Sequence, residues 1–230
     1  MKLFFYFALC VSAFFSSHIF AMTDSVALVT EKSLSHESLG KIAVRDLLGK
    51  AKSNLLVKKI PSRFKPNHYV AEVVPLELIH RLFILENVGS NEIKKNIQQL
   101  YDHIGRYGFK QLTQKVSPAN ASGVMQITQD SFYHLVSLYG MKSVTKSYDI
   151  EVKNPALSVE IAMLFVDNAL ALLTKEEREK VMSRSASFNE YIATAYNGGS
   201  WYALKKLRTG SPGFKKETYH YVITMRTLDL

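Results

Sequence analysis

Pro155 opens a segment, Ala156 to Leu173, that is apolar nearly all round. A surface helix carries one apolar stripe, whereas a helix apolar on every side must be surrounded by other elements. The rest of the chain therefore has to supply a wrapping, and its patterns are helical. Pro75 suits a first helical turn, and Leu76, Ile79, Leu82 and Phe83 then recur at helical spacing. Ile93, Ile97, Leu100, Tyr101 and Ile104 do the same, closed by Gly105 and Gly108. Another helix runs through Phe132, Leu135 and Leu138 to Gly140, and one from Phe188 ends at glycines where a left-handed cap belongs, Tyr196-Asn197-Gly198-Gly199. Ser200 is placed to cap Trp201 to Leu207, and Lys216 to Leu228 closes the chain as a helix. Lys175 to Lys180 reads as a solvated face or a turn. No alternating strand pattern of comparable quality occurs, so the expected class is mainly α.

The two ends of the chain differ. Lys2 precedes an apolar run from Leu3 to Phe15, followed by small and polar residues up to Ala21, the layout of a secretory signal peptide over residues 1–21. Cys10 lies inside it and is the only cysteine, so the mature chain has no disulfide, thiol nucleophile or cysteine-ligated metal. Residues 22–66 read as an N-terminal arm, helical from Glu37 to Lys59, that docks on the main domain or on a partner protein. Residues 67–230 form the main domain. The formal net charge of +9, lowered by one when Lys2 leaves with the leader, favours anionic surroundings such as nucleic acid, anionic lipid or a carboxylate-bearing cell wall, and charge alone does not choose among them.

Two stretches carry chemistry. Glu86 falls on the apolar stripe that begins at Leu76, projecting between Ile79 and Leu82, while Glu77, His80 and Arg81 gather opposite. A carboxylate on an apolar face is costly to ionise, which raises its pKa toward the range a general acid needs. Ser117 to Gln126 reads as a lining, with Asn120 tolerant of left-handed backbone and Gly123 permitting close approach. Met125 and Gln126 offer a polarisable surface and an amide, suited to an uncharged, hydroxyl-rich ligand. No cofactor and no metal are expected. The seven histidines lack His-Glu-x-x-His spacing, and no glycine-rich phosphate loop occurs.

Four pieces in order, Val74-Pro75-Leu76 leading to Glu86, Ser117 to Gln126, Ala195 to Gly199, and Glu217-Thr218-x-x-Tyr221-Val222, resemble the soluble lytic transglycosylases, relatives of goose-type lysozyme. The resemblance covers roughly residues 70 to 225 and implies a lysozyme-like helical domain. Residues 117–126 match the family segment Ser-Pro-x-Gly-Ala-x-Gly-Leu-Met-Gln without a gap, with Asn120 and Val124 as the changes. It implies cleavage of the β-1,4 bond between N-acetylmuramic acid and N-acetylglucosamine in peptidoglycan, leaving a 1,6-anhydro end, with Glu86 as acid and then base. Asn87, Ser122, Gly123, Met125, Gln126, Tyr196, Asn197, Glu217 and Tyr221 would line the substrate site by the same resemblance. Two departures stand out. Asn87 occupies a position that is usually serine, and Gly123 follows Glu86 by 37 residues, a longer interval than the family's, which implies an inserted helical segment around residues 88–112.

The expected protein is an exported peptidoglycan lytic transglycosylase of a bacterial periplasm or cell envelope. Its partners would be glycan strands and, through the arm, an envelope or secretion-apparatus protein; nucleic acid is not expected. A hydrolytic muramidase on the same scaffold and a non-catalytic glycan-binding or assembly protein are the alternatives.

Overall fold

The structure, a computed structural model, describes residues 34–88, 93–142, 144, 146–210 and 216–228, the side chains of Lys216 and Glu217 excepted. The expected signal peptide and residues 22–33 of the expected arm lie outside these residues. Helices follow one another as α1 (His36–Val57), α2 (Val70–Val73), α3 (Leu76–Asn87), α4 (Ile93–Tyr107), α5 (Lys110–Thr113), α6 (Gln129–Leu138), α7 (Tyr148–Glu151), α8 (Pro155–Ala171), α9 (Lys175–Met182), α10 (Ser185–Gly198), α11 (Ser200–Thr209) and α12 (Lys216–Thr227). The described residues contain only isolated β-bridges and no strand, so the protein is mainly helical.

α8 is the axis of the fold. Asn154 caps it by accepting hydrogen bonds from the Ala156 and Leu157 amides, and Pro155 fills the first turn. Helices α1, α2, α3, α6 and α10 all pack against it. Its residues Val159, Ile161, Ala162, Met163, Leu164, Val166 and Ala169 are fully buried, as an all-round apolar segment requires.

Two acids are hidden in that axis. Glu160 and Asp167, two turns apart on one face, are 1% and 0% exposed. Asn54 and Lys58 donate to Glu160 at 2.7 and 2.5 Å. The Ser62 hydroxyl, the Arg63 amide and the Tyr139 hydroxyl donate to Asp167 at 2.5, 2.7 and 2.7 Å. An unpaired buried carboxylate would cost several kcal/mol, so these donors bolt residues 54–63 to the core.

The stretch 22–66 is therefore divided. Its helical part is α1, whose Val44, Leu47, Leu48, Ala51 and Leu55 are buried, and residues 36–230 form one unit whose boundary lies between Ser35 and His36. The principal neighbour of α1 is α4, the helix of the interval between Glu86 and Ser117. The two approach backbone to backbone. A Cβ on Gly40 would lie 1.8 Å from the Tyr101 carbonyl oxygen, and one on Gly105 would lie 1.8 Å from that of His36. Only glycine fits at either place. The order of these pairs, 36 with 105 and 40 with 101, makes the helices antiparallel.

Lys175 to Lys180 belongs to α9, not to a turn. Thr174 and Glu177 form a reciprocal cap there, and the charged residues still face solvent around a single buried Val181.

Candidate active site

Glu86 lies in the last turn of α3, with its helix buried through Leu78, Ile79, Leu82, Phe83, Ile84 and Leu85. The burial arises because α3 packs against α8 on one side and α12 and α1 on others. α4 adds a brace, since His80 and Tyr101 share a hydrogen bond of 2.8 Å, and just before α5 Phe109 meets Phe83 edge to face. Desolvation lowers the His80 pKa despite the opposing charge of Glu77.

Around Glu86 the charges are few. Burial pushes its carboxyl up to about 7, while the Tyr221 hydroxyl and the Lys115 ammonium pull it the other way. The negative end of the α3 dipole disfavours the ionised form as well. Tyr221, from α12, donates to Glu86 Oε1 at 2.8 Å. Lys115 reaches the Glu86 carbonyl with its Nζ at 3.1 Å, satisfying an otherwise open helix-end oxygen. Burial and the Glu86 charge hold the Tyr196 and Tyr221 hydroxyls well above the ordinary phenol range, so both remain proton donors.

The loop 116–127 coils through three left-handed residues, Asn120 (φ 56°), Gly123 (φ 79°) and Gln126 (φ 47°). Asn120 adopts the conformation its residue type allows. Backbone pairs Val116 with Ser122 and Ser122 with Ile127 hold the coil, and the Ser117 hydroxyl accepts from the Ala121 amide. Gly123 has a different purpose from the expected approach to a ligand. A Cβ there would stand 2.4 Å from the Val152 carbonyl oxygen, so its bareness makes room for the protein's own backbone. Ser122 is buried too.

Met125 likewise turns inward. Its side chain is fully buried, which removes it as a sugar-contacting surface. What it presents is its carbonyl, to which the Tyr196 hydroxyl donates at 2.7 Å. The Asn87 amide donates to the Phe83 and Val124 carbonyls, both at 2.8 Å, tying the end of α3 to this loop. Gln126 donates to the Gly123 carbonyl at 2.9 Å and to that of Lys115 at 3.2 Å. The Asn87 Oδ1 and Gln126 Oε1 atoms are buried and accept no hydrogen bond among the described residues. Each is an acceptor whose desolvation is uncompensated by protein.

On the α10 and α12 side, Asn197 is exposed, and its Oδ1 accepts from the Thr218 hydroxyl at 2.9 Å. Phe165 of α8 meets the Tyr196 ring edge to face, with centroids 5.1 Å apart. Glu217 lies on α12, but its side chain falls outside the described residues. The structure thus gathers Glu86, Asn87, Gln126, Tyr196 and Tyr221, and turns Ser122, Gly123 and Met125 into support behind them. Lys115 was missed by sequence reasoning. Its only signal was a lysine just ahead of the Ser117 to Gln126 segment.

Among the described residues no cluster of His, Cys, Asp and Glu is arranged to hold a metal ion. The site combines one acid that keeps its proton near neutrality, a phenol that steadies its ionised form, and a coiled loop facing both. Such a set is chemically able to give a proton to a leaving oxygen and later to take one back. Comparison with family models, with curated proteins and with solved structures found no match to this chain.

Proposed function

We propose that the chain is a peptidoglycan lytic transglycosylase built on a lysozyme-like helical domain and acting in a bacterial envelope. The observation that carries this reading is Glu86, an acid raised to about 7 with Tyr221 on its Oε1, at the point where the separated sequence pieces converge. Burial, the Tyr221 hydroxyl and the Lys115 charge set the Glu86 pKa, and the reading assigns both proton transfers to this one group. A glycosidase that uses water or a covalent intermediate ordinarily needs two carboxylates. One suffices when the substrate brings its own nucleophile.

In the first step protonated Glu86 gives its proton to the glycosidic oxygen as the bond to the muramic acid C1 breaks. The C6 hydroxyl of that sugar then bonds to C1 and releases its proton to the Glu86 carboxylate. No water is consumed and the acid is regenerated. Tyr221 stabilises the carboxylate between the two steps, and the Lys115 charge also favours its ionised form. The Asn87 amide holds the coiled loop against the end of α3, and the Gln126 amide braces the coil itself.

The test is mass spectrometry of fragments released from purified peptidoglycan by the full chain and by its Glu86→Gln variant. Anhydro-ended fragments that disappear with the variant are expected. Reducing ends would instead assign a muramidase, and binding without release by either protein would assign a non-catalytic glycan binder.

A further inference from the structure

Three elements that build the Glu86 site continue directly into a second cavity. The loop ending at Gln126 runs into α6, whose first turns carry Asp130, Ser131 and His134. α10, which carries Tyr196, ends at Gly199 and leads into Trp201 on α11. Phe165, packed on the Tyr196 ring, lines it as well. Together with Asn168 these residues line a cavity of about 470 Å³, within the range of small-molecule sites.

Its lining, apolar with a few polar groups, suits a sugar. Trp201 is 73% exposed among the described residues, so most of its indole surface is open. An open indole offers an apolar face to the C–H side of a pyranose. Asp130, Ser131, His134 and Asn168 supply short polar groups that pair with ring hydroxyls and an acetamido group. Burying such hydroxyls is tolerated only where they find partners.

We propose that this cavity is a distal subsite for the same glycan strand, with Trp201 as the platform on which an N-acetylated sugar stacks. The proposal rests on the glycan-cleaving reading of Glu86. It adds that the protein prefers long strands, because short fragments occupy the Glu86 site without reaching Trp201.

Trp201 is the only tryptophan in the chain, so its emission reports on this place alone. The full-length Glu86→Gln protein is titrated with a disaccharide and a hexasaccharide of N-acetylglucosamine. In parallel, the active chain and its Trp201→Ala variant are assayed on peptide-free glycan strands and on a trisaccharide. The hexasaccharide should shift or quench the emission, and Asn168→Ala should weaken that change. Trp201→Ala should raise KM for strands about 3- to 10-fold, leave the trisaccharide KM nearly unchanged, and leave the thermal midpoint in place, since an exposed indole carries little packing. Strand cleavage with silent emission and equal KM values would overturn the subsite while the proposed function stands. No cleavage by the active chain would overturn the function; a hexasaccharide-dependent emission change would then still support Trp201 as a glycan platform, and silence would overturn both.

Discussion

Replacing Glu86 with glutamine should stabilise the protein at alkaline pH while abolishing activity. The carboxyl is raised from its ordinary 4.5 to about 7 in the folded chain. Between those values the unfolded chain has lost this proton and the folded chain still holds it, so the free energy of unfolding falls as pH rises. At about 1.4 kcal/mol per pH unit the interval amounts to about 3 kcal/mol. The contribution is fully present below pH 4.5 and is lost once the pH has passed about 7. Glutamine cannot ionise and escapes the loss. Urea denaturation of both proteins from pH 4 to pH 9, taken as a difference curve, cancels other titrating groups such as His80. The curves should diverge from about pH 5 and level off above pH 8, with the variant more stable by up to about 3 kcal/mol. Parallel curves would refute the desolvated acid, and with it the argument for general acid chemistry.

Tyr221→Phe removes the donor that favours ionised Glu86, so the alkaline limb of kcat/KM should move upward by about 1 to 2 pH units, read from a pH–rate profile. Lys115→Met should shift the same limb in the same direction, because it removes a charge that lowers the Glu86 pKa. Gly123→Ala must place a methyl against the Val152 carbonyl at φ 79°, and should cost about 1–3 kcal/mol or more in urea denaturation. Asp167→Ala strands the Tyr139 hydroxyl and its companions. It should cost about 3 kcal/mol or more in the same measurement, at about 1–3 kcal/mol for each buried donor left unpaired.

Periodicity made α3, α6, α8 and α10 legible, because each repeats its apolar residues at helical spacing and has a recognisable start or stop. Glu86 was legible for the same reason: it falls on such a stripe, and the structure gives the carboxyl the raised pKa expected of it. Asn120 was legible from its tolerance of left-handed backbone. Loop orientation was not. Whether Gly123 and Met125 face a ligand or the core depends on Val152 and Ser158, far along the chain. The pairing of α1 with α4 was hidden because two glycines in unrelated helices carry no motif; their meaning appears only when the backbones meet. Glu160 and Asp167 were hidden by their apolar neighbours, which made α8 read as uniformly greasy, while their donors come from residues 54–63 and from Tyr139.

The glycine-seated crossing of α1 and α4 constrains how this chain can be dissected or recombined. A fragment beginning at residue 67 would retain every residue gathered at Glu86, yet it would bare the inner side of α4 and leave Glu160 and Asp167 short of donors. Excising residues 88–112 would strip α1 in turn. The leading helix and the interval helix are thus one inheritable part, to be transplanted together or left alone, and a graft of the Glu86 site onto another helical scaffold must carry both.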